Sequence, residues 1–107
     1  MTQLPPPLDA YFAAANRGDR AAMADLFAET AAVRDEGETH VDPSAIRGWL
    51  DRVGASYDPR YVIQGVESAA EASVVTVEVS GTFPGSPIVL RQRFVTDGER
   101  ITSLATL

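Results

Sequence analysis

Cysteine and lysine are absent from this 107-residue sequence, and histidine occurs once, at His40. Without cysteine, the chain can form no disulfide and has no thiol for catalysis. A metal site is not expected either, because Asp35, Glu36 and Glu38 lie near the histidine but no His-x-x-x-His spacing accompanies them. We therefore predict a protein that uses no disulfide, no metal ion and no other cofactor.

Positive charge is also scarce. The chain contains nine arginines and 15 acidic residues, and its formal net charge is −6. Nucleic acids and anionic membrane surfaces bind clustered Lys and Arg, so neither is an expected partner. No apolar run approaches the roughly 18 residues that a membrane-spanning helix needs. The opening residues MTQLPPPLDA lack the basic and apolar regions of a signal peptide, which favours a cytoplasmic protein.

The chain has enough apolar material for one domain. Hydrophobic residues make up 45% of it. A chain of this length can bury roughly two-thirds of the surface that it exposes when unfolded. We therefore expect residues 1–107 to form a single domain with its own core.

The first part of the chain has the apolar period of two short helices. PPP predicts an extended lead-in over residues 2–7, and Gly18 can end the helix that follows in LDAYFAAANRGD. Asp19 can cap a second helix through its carboxylate, so the two helices would form a hairpin. Their apolar stripes are Leu8, Tyr11, Phe12 and Ala15 in the first helix, and Met23, Leu26 and Phe27 in the second.

A third helix and a series of strands are predicted for the rest of the chain. Asp42 is suited to cap the helix, Pro43 to start it and Gly54 to end it. A strand or two around Val33 precedes this helix, and after Pro59 the pattern alternates as in strands. Helices on one side of an antiparallel sheet make an α+β domain. The four later strands are expected in YVIQGV, SVVTVEVSG, IVLRQRFVT and RITSLATL.

Three polar side chains fall on faces that the pattern predicts to be apolar. Gln92 either pairs with another core group or faces a cavity, since an unpaired buried amide costs about 1–3 kcal/mol. Asp35 shares a face with Val33, and it either caps the turn EGET or is a candidate general base. Tyr11 belongs to the core face of the first helix, where its hydroxyl needs a partner. The three residues come from three separate elements, and each lies on its predicted inner face.

The segment YFAAANRGDRAAMADLFAETAAVRDEG carries a pattern of Tyr11, Asn16 with Asp19, Leu-Phe-Ala and then Asp35. It resembles the opening of the nuclear-transport-factor-2-like superfamily, which includes SnoaL-like polyketide cyclases and ketosteroid isomerases. AIRGWL at residues 45–50 is similar to the third helix of that family. The resemblance implies a cystatin-like cone. In such a cone, three N-terminal helices pack in a strongly curved mixed or antiparallel sheet around an internal pocket.

The resemblance also implies roles for individual residues. Asp35 falls at the position of the general base of ketosteroid isomerase, and Tyr11 at that of the oxyanion-hole tyrosine. Gln92 stands where that enzyme has a protonated acid, and its amide is expected to donate a hydrogen bond to a developing oxyanion. Glu36 replaces the proline that usually follows the base. His40 would border the pocket mouth, either as a proton carrier or as a hydrogen-bonded turn residue. Expected ligand contacts are Trp49, Tyr57, Phe12, Phe94 and Val33.

Two functions remain open at this point. The chain is either an isomerase or cyclase that takes a proton from a hydrophobic carbonyl compound, or a non-catalytic domain that binds a hydrophobic ligand. Epoxide hydrolysis, known among some relatives, would need an inward-facing arginine that the pattern does not provide. The resemblance also implies a homodimer formed through the outer sheet face, with the row Val89, Arg91, Arg93 and Val95.

Overall fold

The computed structural model describes residues 4–69 and 71–107. These residues form the expected α+β fold, with three helices against a six-stranded sheet. Residues 2 and 3 of the expected lead-in lie outside the described residues, and residues 4–7 are not helical. The elements are α1 (Leu8–Arg17), α2 (Arg20–Asp25), β1 (Phe27–Asp35), β2 (Glu38–Val41), α3 (Pro43–Tyr57), β3 (Arg60–Ser68), β4 (Ser73–Ser80), β5 (Ile88–Thr96) and β6 (Ile101–Thr106).

The sheet is mixed, with the strand order β2-β1-β6-β5-β4-β3. Every neighbouring pair is antiparallel except β1 and β6, which run parallel. The register shifts within three pairs: β1 with β6, β3 with β4, and β5 with β6. Such bulges increase the local twist and bend a strand, so they allow the sheet to curve around the helices.

The core fills the space between the helices and the inner face of the sheet. Val75, Val77 and Val79 of β4 are buried and alternate with half-buried residues on the outer face. Phe12 of α1 and Phe94 of β5 pack edge to face, with ring centroids 5.7 Å apart. Burying side chains of this size stabilises the fold by about 1.5–3 kcal/mol each. Within the described residues, no helix is long and apolar enough to cross a bilayer.

The boundary between α2 and β1 differs from the expected one. The apolar period predicts Leu26 and Phe27 in the second helix, but α2 ends at Asp25 and Phe27 begins β1. Phe27 pairs with Ile101 of β6, and the Leu26 carbonyl accepts a hydrogen bond from the Ile101 N–H at 2.8 Å. Pairing with a strand about 75 residues away in sequence therefore overrides the local helical period.

Helix α3 begins as predicted but ends later. The Asp42 carboxylate accepts a hydrogen bond from the Ala45 N–H at 2.9 Å, and Pro43 is the first helical residue. The helix continues through Gly54 to Tyr57, so the predicted end at Gly54 is wrong. A side chain at Gly54 would collide with the guanidinium group of Arg20. The glycine therefore permits close packing of α2 on α3 rather than ending the helix.

The acidic segment RDEGETH forms a tight β-hairpin. Asp35 at the end of β1 pairs with Glu38 at the start of β2, which leaves Glu36 and Gly37 as a two-residue turn. Both turn residues have positive φ, 52° and 78°, as a type I′ hairpin requires. Proline cannot adopt a φ of 52°, because its ring holds φ near −65°. A proline at position 36, which the resemblance implies, would therefore not fit this hairpin, whereas Glu36 does.

Candidate active site

A cavity of about 400 Å³ opens between α1, α3 and the inner face of the sheet. Its volume falls in the range of about 300–1,000 Å³ that is usual for small-molecule sites. Among the described residues that line it, Asp35 and Glu36 are charged and none is an arginine. Its aromatic lining consists of Tyr11, Trp49, Tyr57, Tyr61 and Phe83. The wall is thus apolar and aromatic, with acidic groups in one sector.

Asp35 reaches the cavity wall from the end of β1. Its side chain is half-buried, and its Oδ2 accepts a hydrogen bond from the Trp49 indole N–H at 3.2 Å. Trp49 lies on α3 and is only 7% exposed, so it holds the carboxylate in a fixed orientation. No backbone N–H in the described part of the hairpin donates to this carboxylate, so Asp35 does not cap the turn. The second oxygen, Oδ1, remains available to a bound molecule.

Two phenols share the cavity with Asp35. Burial, then the neighbouring Tyr61, then the negative charge of Asp35 together raise the pKa of Tyr11 well above its usual value. Burial and, secondarily, Asp35 raise the pKa of Tyr61 to about 12. Both hydroxyls are therefore protonated at neutral pH and can donate hydrogen bonds. The charge of Asp35 contributes to both increases, after burial, so both phenols lie within electrostatic reach of this carboxylate.

Tyr61 is a cavity residue that the sequence analysis does not predict. It lies on the inner face near the start of β3, and its backbone is held by the side chain of Asn16 at the end of α1. The Asn16 amide donates to the Tyr61 carbonyl at 2.9 Å, and its oxygen accepts from the Tyr61 N–H at 2.7 Å. Both polar residues of the Asn-x-x-Asp motif therefore have structural roles. Asn16 holds the start of β3, and Asp19 caps α2 by accepting a hydrogen bond from the Ala22 N–H.

Gln92 lines the cavity, and its amide has a hydrogen-bond partner within the sheet. The side chain is 6% exposed, and its Nε2 donates to the hydroxyl of Thr106 at 3.4 Å. Its Oε1 is the one buried side-chain oxygen or nitrogen in the described residues that has no hydrogen-bond partner. Oε1 is thus enclosed by protein atoms, and the expected donation of the amide N–H to an oxyanion stays a prediction.

His40 lies outside the cavity, in an adjoining polar cleft of about 240 Å³. Its ring stacks on Trp49 with centroids 6.1 Å apart and an interplanar angle of 25°. Its Nε2 is 4.0 Å from Oε2 of Glu38. Asp35 and Trp49 border both the cavity and the cleft. The carboxylate therefore stands where an apolar space meets a polar one.

The expected ligand contacts divide into two groups. Trp49 and Tyr57 line the cavity. Phe12, Phe94 and Val33 do not line it and belong instead to the buried core. Phe12 and Phe94 lie behind Tyr11, whose ring they contact edge to face at 5.2 and 5.6 Å. The Tyr11 ring itself therefore stands in the cavity wall, with the two phenylalanines as its support.

Comparison with solved structures identifies proteins of the same architecture. A proposed polyketide cyclase from Sinorhizobium meliloti is 31% identical, with a TM-score of 0.92 over 97% of this chain and 95% of its own. A hypothetical protein from Catenulispora acidiphila that has a ketosteroid isomerase-like fold, solved in complex with trimethylamine, is 24% identical, with a TM-score of 0.82 over 97% of this chain and 86% of its own.

A third structure is SalBIII, an epoxide hydrolase/cyclase-like enzyme of pyran ring formation in the polyether salinomycin. It is 17% identical, with a TM-score of 0.82 over 94% of this chain and 85% of its own, and this likeness shows the fold alone. No protein of curated function matches in sequence. The family model of the SnoaL-like domain matches residues 8–104. The chain is therefore a member of the SnoaL-like domain family.

Proposed function

We propose that the protein binds a hydrophobic carbonyl compound in the cavity and catalyses an isomerisation or cyclisation without a cofactor. Asp35 would remove a proton from the carbon next to the carbonyl group. Tyr11 and Tyr61 would donate hydrogen bonds to the carbonyl oxygen as negative charge develops on it. The observation that carries this proposal is the position of one carboxylate and two protonated phenols on the wall of one cavity.

The surroundings of Asp35 suit a general base. The Trp49 N–H occupies Oδ2 and fixes the carboxylate, which leaves Oδ1 to approach a proton on the substrate. The polar cleft on its other side provides a route by which the proton can exchange with solvent. A positioned base of this kind contributes about 10²–10⁴-fold to the rate.

The phenols suit an oxyanion site. A donor that is already oriented costs no reorganisation when charge develops, and removing one such donor typically costs about 10²–10³-fold in rate. Tyr11 is held by aromatic neighbours, and the backbone of Tyr61 is held by Asn16. In this proposal Tyr61 supplies a second hydrogen-bond donor, beside Tyr11, to the developing oxyanion.

The lining indicates the substrate class. Aromatic and aliphatic side chains cover most of the wall, so the molecule must be largely apolar. Polyketides combine an apolar skeleton with carbonyl groups, and the similar S. meliloti protein bears the name of a polyketide cyclase. We therefore favour a cyclic or cyclising ketone of this chemical class over a purely hydrocarbon ligand.

The proposal is tested with the simple bicyclic ketone 1-tetralone. We expect the protein to accelerate exchange of the protons next to its carbonyl in D₂O, followed by proton NMR. Binding is measured in parallel through the indole N–H signal of Trp49, the only tryptophan in the chain. Failure of 1-tetralone to shift this signal would contradict the proposed ligand class. Binding without faster exchange would contradict the catalytic role.

A second candidate function is ligand binding without catalysis. Gln92 replaces a protonated acid that the family's ketosteroid isomerases use, and this favours loss of their chemistry. The similar C. acidiphila protein holds trimethylamine in its solved structure, which is consistent with binding of a small ligand on this fold. Under this alternative, 1-tetralone would shift the Trp49 signal, and the wild-type protein would leave the exchange rate at the buffer value.

We also propose that two copies associate through the outer sheet face. Val62 and Val89 are 58% and 56% exposed there, and both face Glu78 in the paired strands. A second copy would cover these valines. Light scattering is expected to give the mass of a dimer, and Val89→Glu to give that of a monomer. A wild-type monomer, or a dimer unaffected by Val89→Glu, would count against this interface.

A further inference from the structure

We infer that Phe83 is a specificity-determining residue, which contacts the end of the ligand that lies farthest from Asp35. This inference rests on the proposed function and narrows its substrate class. The ligand would be an elongated ketone, with an apolar skeleton that extends from the reacting carbon to the mouth of the cavity. A ketone with this extension would thus be preferred over a shorter one that has the same reacting groups.

The register of the sheet places Asp35 and Gln92 at the same level. Arg34, the residue before Asp35, pairs with Ala105 of β6. The next residue of β6, Thr106, pairs with Gln92 of β5. Because β1 and β6 run parallel, Asp35 and Gln92 lie at one level of the sheet, on either side of β6. Both line the cavity, so a substrate would meet the proposed base at this level.

From this level the cavity continues toward the edge of the sheet where β4 ends and β5 begins. Leu90 and Ile88 follow on the inner row of β5, and Val79 of β4 pairs with Ile88. All three line the cavity, so its wall on this side is apolar. The four residues from Gln92 to Ile88 correspond to a rise of about 13 Å along the strand. Two fused six-membered rings are shorter than this span, whereas a third ring in line with them approaches it.

Phe83 lies at the outer end of this apolar wall. It belongs to residues 81–87, which connect β4 to β5 and contain no charged residue. Phe83 is half-buried and lines the cavity beside Pro84. Its ring packs edge to face on the ring of Tyr57 at the end of α3, with centroids 5.6 Å apart. A ligand that fills the cavity from Asp35 outward therefore reaches Phe83.

Hydrogen bonds to the end of α3 hold the segment that carries Phe83. The Thr82 N–H donates to the Tyr57 carbonyl at 2.7 Å, and the Thr82 hydroxyl donates to the Ser56 carbonyl at 3.4 Å. These carbonyls belong to the last turn of α3, where the helix itself supplies no donor. A side chain on Gly81 would collide with the Tyr57 carbonyl oxygen, so the glycine permits this close approach. The mouth is thus preformed, and a preformed contact costs little ordering when a ligand binds.

The test compares 1-tetralone with 6-phenyl-1-tetralone. The phenyl group extends the two fused rings on the side away from carbon 2, from which Asp35 would remove the proton. Dissociation constants are measured from the Trp49 indole N–H signal, so the result does not depend on catalysis. The wild-type protein is expected to bind the phenyl compound about tenfold more tightly, because the phenyl group becomes buried against the apolar wall.

Phe83→Ala is expected to reduce this preference by about three- to tenfold, because it removes the ring that the phenyl group contacts. The dissociation constant of 1-tetralone should stay nearly unchanged, since the shorter ketone does not reach the mouth. Val41→Ala is the control. It removes an exposed apolar side chain that does not line the cavity, and it should retain the wild-type preference.

A second measurement uses the wild-type protein and therefore does not depend on the folding of a variant. In the complex with 6-phenyl-1-tetralone, nuclear Overhauser effects are expected between the phenyl protons of the ligand and the ring protons of Phe83. Such contacts would show directly that the distal end of the ligand lies at the mouth.

Three results would overturn the inference: equal affinity of the wild-type protein for the two ketones, a preference that Phe83→Ala leaves unchanged, and Overhauser effects that place the phenyl group away from Phe83. If neither ketone shifts the Trp49 signal, the proposed ligand class and this inference fail together. Absence of proton exchange with the preference intact would count against catalysis alone, since affinity is measured separately.

Discussion

Replacement of Asp35 by asparagine is expected to slow proton exchange next to the carbonyl of bound 1-tetralone by about 10²–10⁴-fold. The substitution removes the basic oxygen but keeps the size and shape of the side chain. The Trp49 N–H can still donate to the amide oxygen, so the side chain should stay in place. Exchange rates at saturating ketone, measured by NMR in D₂O, give this ratio directly.

The matched control is Glu29→Gln. Glu29 lies on the same strand as Asp35, is exposed and does not line the cavity, so this variant loses the same unit of charge elsewhere. Its exchange rate should equal that of the wild-type protein. Equal rates for Asp35→Asn and the wild type, with the Trp49 signal showing that both bind ketone, would remove Asp35 from the mechanism.

Stability is expected to fall steeply in alkali because of the two buried phenols. At pH values below about 10, both tyrosines are protonated whether the chain is folded or unfolded, so they add no pH dependence. Above pH 10 the unfolded chain ionises its phenols, while burial, and secondarily Asp35, keep the pKa of Tyr61 at about 12 in the folded state. The unfolded state is then favoured by about 1.4 kcal/mol per pH unit for each such tyrosine.

Between pH 10 and 12, Tyr61 alone should lower the free energy of unfolding by up to about 3 kcal/mol. Tyr11, whose pKa is raised well above its usual value by burial and then by Tyr61 and Asp35, adds to this loss. Urea unfolding of wild-type protein and Tyr61→Phe at pH 9 and pH 11.5 isolates the Tyr61 contribution. The phenylalanine variant should lose less stability, whereas identical losses would show that Tyr61 is not held in its neutral form by the fold.

Where local signals sufficed, the sequence predicted the fold well. Asp42 and Pro43 begin α3 because an N-cap carboxylate and a proline at the first helical position act within a few residues. The four late strands were recognisable from their alternation. The predicted end of α3 at Gly54 is wrong because this glycine serves a tertiary contact, in which it leaves room for the Arg20 side chain. The early start of β1 at Phe27 likewise depends on pairing with β6.

Part of the candidate site was also predictable from local periodicity. The periods of their elements placed Asp35, Tyr11 and Gln92 on inner faces, and all three line the cavity. Tyr61 escaped notice because its position follows from the actual length of α3 and from the two hydrogen bonds of Asn16. Phe12 was indistinguishable from a wall residue, because an inner face by itself does not tell core from cavity.

The most direct test of the central claim is a crystal structure of the protein with 2-naphthol, an aromatic mimic of an enolised ketone. We predict that its oxygen will lie within hydrogen-bonding distance of the hydroxyls of both Tyr11 and Tyr61. The carboxylate of Asp35 should face the ring carbon next to the one that bears this oxygen. Naphthol bound elsewhere, or bound in the cavity with its oxygen away from both phenols, would contradict the account.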